Sequence, residues 1–342
     1  MRWLSSLASV SGVRMGASES LSYDSTWEDE VEEKTRDGRG NSYGSTSPLE
    51  FSQVQKTTSP LKKGKPTKER YEYMSSDAAQ DMQNYRRQYP YLKDNSDDSM
   101  LNFKFYRNEI PFHPNGLYIE DMLETWKNEY DILESNHNYI QWLFPLREPG
   151  LNQKAPPLSR NEIKRMVEDS DVNGRFLAAY KLMLGFYGLT LNEETEEVQR
   201  ADNWKERYAN LNWSSHNYLR ITRILKSLGE MGYEIHQRSL IRFFLQETLM
   251  HGHLSNLKRS VLDYFIFSVR DKRERQILVH EAWMLYKPQD EFIWGPVTVL
   301  QNFHNHDKPS VVTSQNQVPS TSNINPGTTV PATQFCSSCC CI

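Results

Sequence analysis

Two histidine pairs, His251-Gly-His253 and His304-Asn-His306, are the first residues in this chain whose spacing could do chemistry. Imidazoles two residues apart on extended backbone can reach one metal ion. Neither pair has a cysteine or paired carboxylate nearby to complete a ligand set. The first pair falls at an expected helix end, where a cationic imidazole meets the carbonyl dipole, so no metal site is expected. Arg220, Arg223 and Lys226 stand at i, i+3 and i+6 and form one basic stripe opposite the apolar face of their helix. That stripe could take a phosphate or a carboxylate, although such stripes are usually solvated. Trp126, Tyr130, Tyr139, Trp142 and Phe144 make either a core corner or a pocket for an aromatic peptide. Core is the stronger reading, because aromatics at helical spacing are normally buried.

The familiar catalytic arrangements are missing. Gly185-Phe-Tyr-Gly188 closes a helix rather than opening one after a strand, so it is no phosphate-cradling loop. There is no G-x-S-x-G elbow, and all four cysteines, Cys336, Cys339, Cys340 and Cys341, lie near the C-terminus. No enzyme class and no cofactor is called for. Cys339-Cys-Cys-Ile342 fits a prenylation box loosely, with Cys336 available for a second acyl chain. Met15-Gly16 begins a myristoylation pattern that operates only if translation starts at Met15. Lys62, Lys63 and Lys65 form a short basic run of the nuclear-import kind. Residues 1–14 carry Arg2, Arg14 and serines but too short an apolar stretch for a cleaved signal. Asn212-Trp-Ser214 is a formal glycosylation sequon, expected to be unused, with Trp213 in the core.

These residues need helices to position them. The chain has 342 residues, 37% of them apolar, below the roughly 45–50% usual for a globular chain. Part of it therefore cannot bury a core. The Trp, Phe and Leu residues concentrate between Met100 and Phe303, which predicts one globular domain at 99–303 between disordered regions at 1–98 and 304–342. The fold class expected is all-α, with seven to nine helices and no parallel sheet. Ile119, Met122, Leu123, Trp126, Tyr130 and Leu133 recur at three and four. Ser159-Arg-Asn-Glu162 has capping-box spacing. Gly188 and Gly229 are read as helix stops, and Gly252 as a third. Net charge is −4, from 40 basic and 44 acidic residues, so the global balance does not call for nucleic acid. No apolar run reaches the 18 or so residues a membrane span needs.

Phe105-Tyr-Arg-Asn-Glu109 and Tyr139-Ile-Gln-Trp-Leu-Phe-Pro-Leu-Arg-Glu-Pro149 strongly resemble motifs of the opioid growth factor receptor family. The resemblance continues through Tyr180 to Leu189, Leu211-Asn-Trp213, Leu219 to Gly229, Ser260 to Val269 and Trp294-Gly-Pro296, and so covers 101–303. Asp24-Ser-Thr-Trp-Glu28, Asp81-Met82, Tyr85-Arg86 and Tyr89-Pro90 also look like that family's amino-terminal region. The family's long carboxy-terminal extension has no counterpart here, so a receptor-like paralogue or a shortened isoform fits as well as the receptor.

The resemblance implies a non-catalytic receptor for the pentapeptide Met-enkephalin, a negative regulator of cell proliferation at the nuclear envelope and nucleus. Such a peptide asks for an acid, an aromatic pocket and a cation. Trp126, Tyr130, Tyr139 and Trp142 are the candidate lining, Glu148 the partner of the amine, and Arg220 or Arg223 the partner of the carboxylate. The competing reading is a helical scaffold, attached peripherally to a membrane through Cys339, that binds another protein and no peptide. Import factors acting on Lys62 to Lys65 belong to the first reading.

Overall fold

Short polar side chains set several of the helix starts. The computed structural model describes residues 24–27, 75–92, 99–114 and 116–303. In it, Ser75 caps α1 (Ser76–Arg86), Ser159 caps α6 (Arg160–Glu168) and Asp169 caps α7 (Ser170–Phe186), each accepting backbone amides of the first turn. Between α1 and α6 lie four short helices: α2 (Leu101–Tyr106), α3 (Ile119–Thr125), α4 (Tyr130–Ser135) and α5 (Ile140–Leu143). After α7 come α8 (Trp204–Trp213), α9 (His216–Glu230) and α10 (Glu234–Leu245). An irregular helical run at 255–268 then leads to α11 (Lys272–Leu285) and α12 (Val297–Gln301). Among the described residues, seven helices have nine or more residues and the others are single turns or little more. The all-α class stands. Among the described residues, its one departure is a hairpin, β1 (Leu189–Leu191) antiparallel to β2 (Val198–Arg200) with Thr190 opposite Gln199. Strands of three residues are too short to show as alternation in a sequence.

The core joins two groups of helices. α2, α3 and α6 pack on α7, while α1, α9, α10 and α11 pack around 255–268. Phe176 of α7 lies between them, its ring 5.9 Å from those of Tyr106 and Phe144 and 5.3 Å from that of Tyr233. Each such aromatic contact contributes about 0.5–1.5 kcal/mol beyond area burial.

Several local expectations are corrected. Gly188 (φ +77°) and Gly252 (φ +69°) end their helices as read, but Gly229 lies inside α9, and Gly232 (φ +80°) supplies the left-handed turn. Ser159 Oγ accepts from the Glu162 amide, but the Glu162 carboxylate does not reach back. It accepts instead from the Phe103 amide at 3.0 Å and the Asn102 side chain at 3.1 Å, joining α6 to α2. Trp213 is not core: it is 91% exposed at the end of α8. The sequon's Asn212 is held by His253 and Asn256, donating to one carbonyl and accepting from the other's amide.

The expectation of disorder before residue 99 fails for the two segments there that are described. α1 buries Ala78, Met82 and Tyr85, and Thr26 and Trp27 are buried as well. Such short polar segments carry too few apolar residues to stand out by composition; the core they meet makes them fold.

Candidate functional site

The nominated aromatic residues are placed mostly inside the core. Tyr139 and Trp142 are fully buried and Trp126 nearly so. Trp126 meets Tyr139 edge to face at 5.4 Å, and Trp142 donates to the His113 carbonyl at 3.0 Å. Tyr139 donates to the Leu133 carbonyl at 2.9 Å, and burial pushes its phenol far up from its ordinary value. In this arrangement these three residues offer no face to a ligand. Tyr130 is different, being only half-buried and at the edge of a cleft.

In the basic stripe of α9, Arg220 and Lys226 are buried and Arg223 is half-buried, and the three cations do separate structural work. Arg220 donates to the carbonyls of Leu133, Glu134 and Asn136 at 2.8–3.2 Å, closing the C-terminal end of α4. Arg223 Nε donates to the Phe144 carbonyl at 2.7 Å, directly after α5. Helix C-termini carry unsatisfied carbonyls and partial negative charge, which a guanidinium answers on both counts. Burial lowers Arg223 to about 10, against the nearby charge of Glu148. Lys226 lies between Asp81 Oδ1 at 2.8 Å and Glu148 Oε1 at 2.9 Å. Its burial alone would lower the ammonium, but the two carboxylates win and hold it above its ordinary value. Glu148 is thus engaged as well, and the structure does not bring the nominated acid, cations and aromatics to one open surface.

An open cleft of about 370 Å³ lies elsewhere, between α7 and the hairpin. Lys181 and Gly185 line it from α7, Leu189 to Leu191 from β1, Ala201 to Asn203 from the approach to α8, Asn128 from the α3–α4 connection and Tyr130 from the start of α4. The capped, regular α7 fixes the first pair. The second group depends on Gly188, whose left-handed turn swings the chain back and whose missing Cβ lets the Trp204 backbone approach. The Tyr130 hydroxyl accepts from Asn203 Nδ2 at 2.9 Å and donates to Asn128 Oδ1 at 3.1 Å. Arg207 stacks on the Tyr130 ring at 4.4 Å. Across the mouth, Lys181 Nζ meets Glu193 Oε1 at 2.7 Å, and that bond holds the Glu193 carboxyl below its usual range. The cleft therefore offers apolar wall, one phenol, one ammonium and two carboxylates, Glu193 and Asp202. No signal in the sequence joined these residues, because the hairpin that collects them is only three residues a side.

The His251 and His253 rings stack at 5.7 Å, and His253 Nδ1 lies 3.1 Å from Glu247, which also pairs with Arg200. Among the described residues, no three His, Cys, Asp or Glu side chains gather as a metal site. His304, His306, Gly16, Lys62, Lys63, Lys65, Cys336 and Cys339 lie outside the described residues. No helix among the described residues is long and apolar enough to cross a membrane.

Residues 95–301 match the family model described as the opioid growth factor receptor conserved region. The chain is 53% identical over 233 residues to the opioid growth factor receptor of Mus musculus, covering 68% of this chain and 37% of that one. It is 51% identical over 236 residues to the receptor of Homo sapiens, covering 68% and 34%. It is equally 51% identical over 220 residues to opioid growth factor receptor-like protein 1 of Mus musculus, covering 64% and 47%. The chain thus matches between 34% and 47% of the length of these relatives. No solved structure matches.

Proposed function

The chain belongs to the opioid growth factor receptor family, and from that premise we propose that it is a non-catalytic receptor for the opioid growth factor pentapeptide, Met-enkephalin, and a negative regulator of cell proliferation. The observation that carries the peptide reading is the cleft between α7 and the hairpin, whose groups match what such a peptide presents. Asp202 and Glu193 can meet its amine, Lys181 its carboxylate, and Leu191 and the Tyr130 edge its rings. At about 370 Å³ the cleft falls within the range of small-ligand sites. Nuclear import through Lys62, Lys63 and Lys65 belongs to the same reading.

The exposed Trp213 favours a second reading, a helical scaffold that binds another protein, with Cys336 and Cys339 as lipid attachment points. Calorimetric titration of the full chain with Met-enkephalin, against a scrambled pentapeptide, separates the two. The receptor reading expects saturable heat with the correct peptide alone, weakened about two- to fivefold by Asp202→Asn, since Asp202 is exposed and an exposed ion pair is worth up to about 1 kcal/mol. Absence of heat at concentrations that detect micromolar affinity leaves the scaffold.

A further inference from the structure

Four residues near the start of the described chain are bound to it as a peptide ligand is bound to a receptor. Asp24 accepts from Arg86 NH2 through both oxygens, each at 2.9 Å. Thr26 Oγ1 donates to Asp24 Oδ1 and accepts from Arg275 Nε at 2.6 Å. Trp27 Nε1 donates to the Trp294 carbonyl at 3.3 Å. These partners lie 62, 249 and 267 positions away along the chain. Asp24, Thr26 and Trp27 are each no more than 2% exposed, although they span no more than a single 3-10 turn, Ser25–Trp27, and the residue before it.

The receiving surface is shaped for them. Gly295 lies against the Trp27 indole so closely that a Cβ there would stand 3.1 Å from Cζ2, and Leu300 closes the same corner. Arg86 of α1 and Arg275 of α11 bring two guanidiniums to one end of the seat. Arg275 is also anchored from behind, donating to the carbonyls of Val269 and Arg270 at 2.7 and 3.0 Å, so it stays in place whatever fills the front. A cationic end with a carboxylate acceptor, a hydroxyl position and a tight aromatic slot is the make-up of a short-motif site, where one buried anchor and a charged pair carry the affinity.

We propose that α1, α11 and the Trp294-Gly295 turn form a docking groove for an Asp-x-Thr-Trp peptide, and that residues 24–27 are its own ligand, held in cis. The groove is distinct from the cleft beside the hairpin. Docking of the segment clamps α1 to α11, and release of the segment opens the groove to the same motif supplied from outside.

The test uses the full chain carrying Asp24→Ala and Trp27→Ala, which vacates the groove, and a fluorescein-labelled peptide of residues 20–31 followed by anisotropy. The vacated variant is expected to bind the peptide saturably and at least about tenfold more tightly than the native chain, whose tethered segment competes at high effective concentration. The same peptide with its Asp and Trp replaced by Ala is expected not to bind. Equal binding to native and vacated chains, or none to a vacated chain that keeps a cooperative melt, overturns the proposal. Loss of the cooperative melt in the vacated chain overturns it too, because residues 24–27 would then be core rather than ligand. A concentration-dependent dimer of the native chain in sedimentation would place the segment on a second copy and refute the cis arrangement.

Discussion

Gly229 and Tyr85 occupy adjoining space so tightly that a Cβ on residue 229 would overlap the Tyr85 hydroxyl. That hydroxyl donates to the Lys226 carbonyl at 2.9 Å, one turn back in α9. A glycine inside a helix costs about 1 kcal/mol relative to alanine, and here it leaves room for α1 to dock. Gly229→Ala is therefore expected to destabilise the protein by about 1–3 kcal/mol despite its better helix propensity. In a Tyr85→Ala background the same change should be neutral or stabilising. Urea unfolding of the four proteins checks this non-additivity.

Gly185 and Gly174 are both in α7, and a Cβ on either would meet no atom within 4 Å. Only Gly185 lines the cleft beside the hairpin. Each alanine variant should gain about 0.5–1 kcal/mol of stability from helix propensity. Gly185→Ala alone is expected to weaken Met-enkephalin binding, by about threefold or more, because its methyl enters the cleft. Equal affinities for the two variants would remove the cleft as the peptide site.

Arg220 offers a fork of donors to three carbonyls at the end of α4, plus Asn217 Oδ1 at 3.2 Å. Lysine keeps the charge but cannot reach them together. Arg220→Lys is expected to cost about 1–3 kcal/mol in thermal or urea unfolding, with the peptide affinity of the folded fraction unchanged. A loss of affinity at constant stability would instead restore Arg220 to the binding site.

The helical class and the course of α6, α7, α9 and α11 were legible because their apolar residues recur at helical spacing, and α6 also carries an explicit cap at Ser159. Tyr130 was the one nominated aromatic that reached the cleft. Trp126, Tyr139 and Trp142 have the same residue chemistry, and spacing alone does not tell a lining residue from a core one. The α9 stripe was misleading for a related reason. Arginine on the face opposite the leucines normally points to water, but here the ends of α4 and α5 abut that face, a tertiary fact with no local signature. Trp213 misled in the opposite sense, its size indicating burial while α8 ends with it outside.

Four described histidines, His137, His216, His236 and His280, are held below their ordinary value of 6.5, in each case first by burial. Arg220 adds to this at His137 and His216, while Glu134, 2.8 Å from His216, opposes it. The unfolded chain takes up these protons near pH 6.5, before the folded protein does. Their contribution to stability is therefore complete above pH 6.5, falls as the pH drops toward the folded values, and levels off below them. The carboxyls of half-buried Asp81 and of buried Glu230 and Asp263 are raised, first by desolvation, and act in the opposite sense at lower pH, so the histidine contribution is best isolated by difference. His137 Nδ1 lies 3.1 Å from Arg220, a contact that glutamine can keep without titrating. The melting temperature of the native protein should drop slightly more than that of His137→Gln between pH 7.5 and 5.5, the difference kept small because His137 is exposed. Identical drops would mean that His137 titrates in the fold as it does in the unfolded chain.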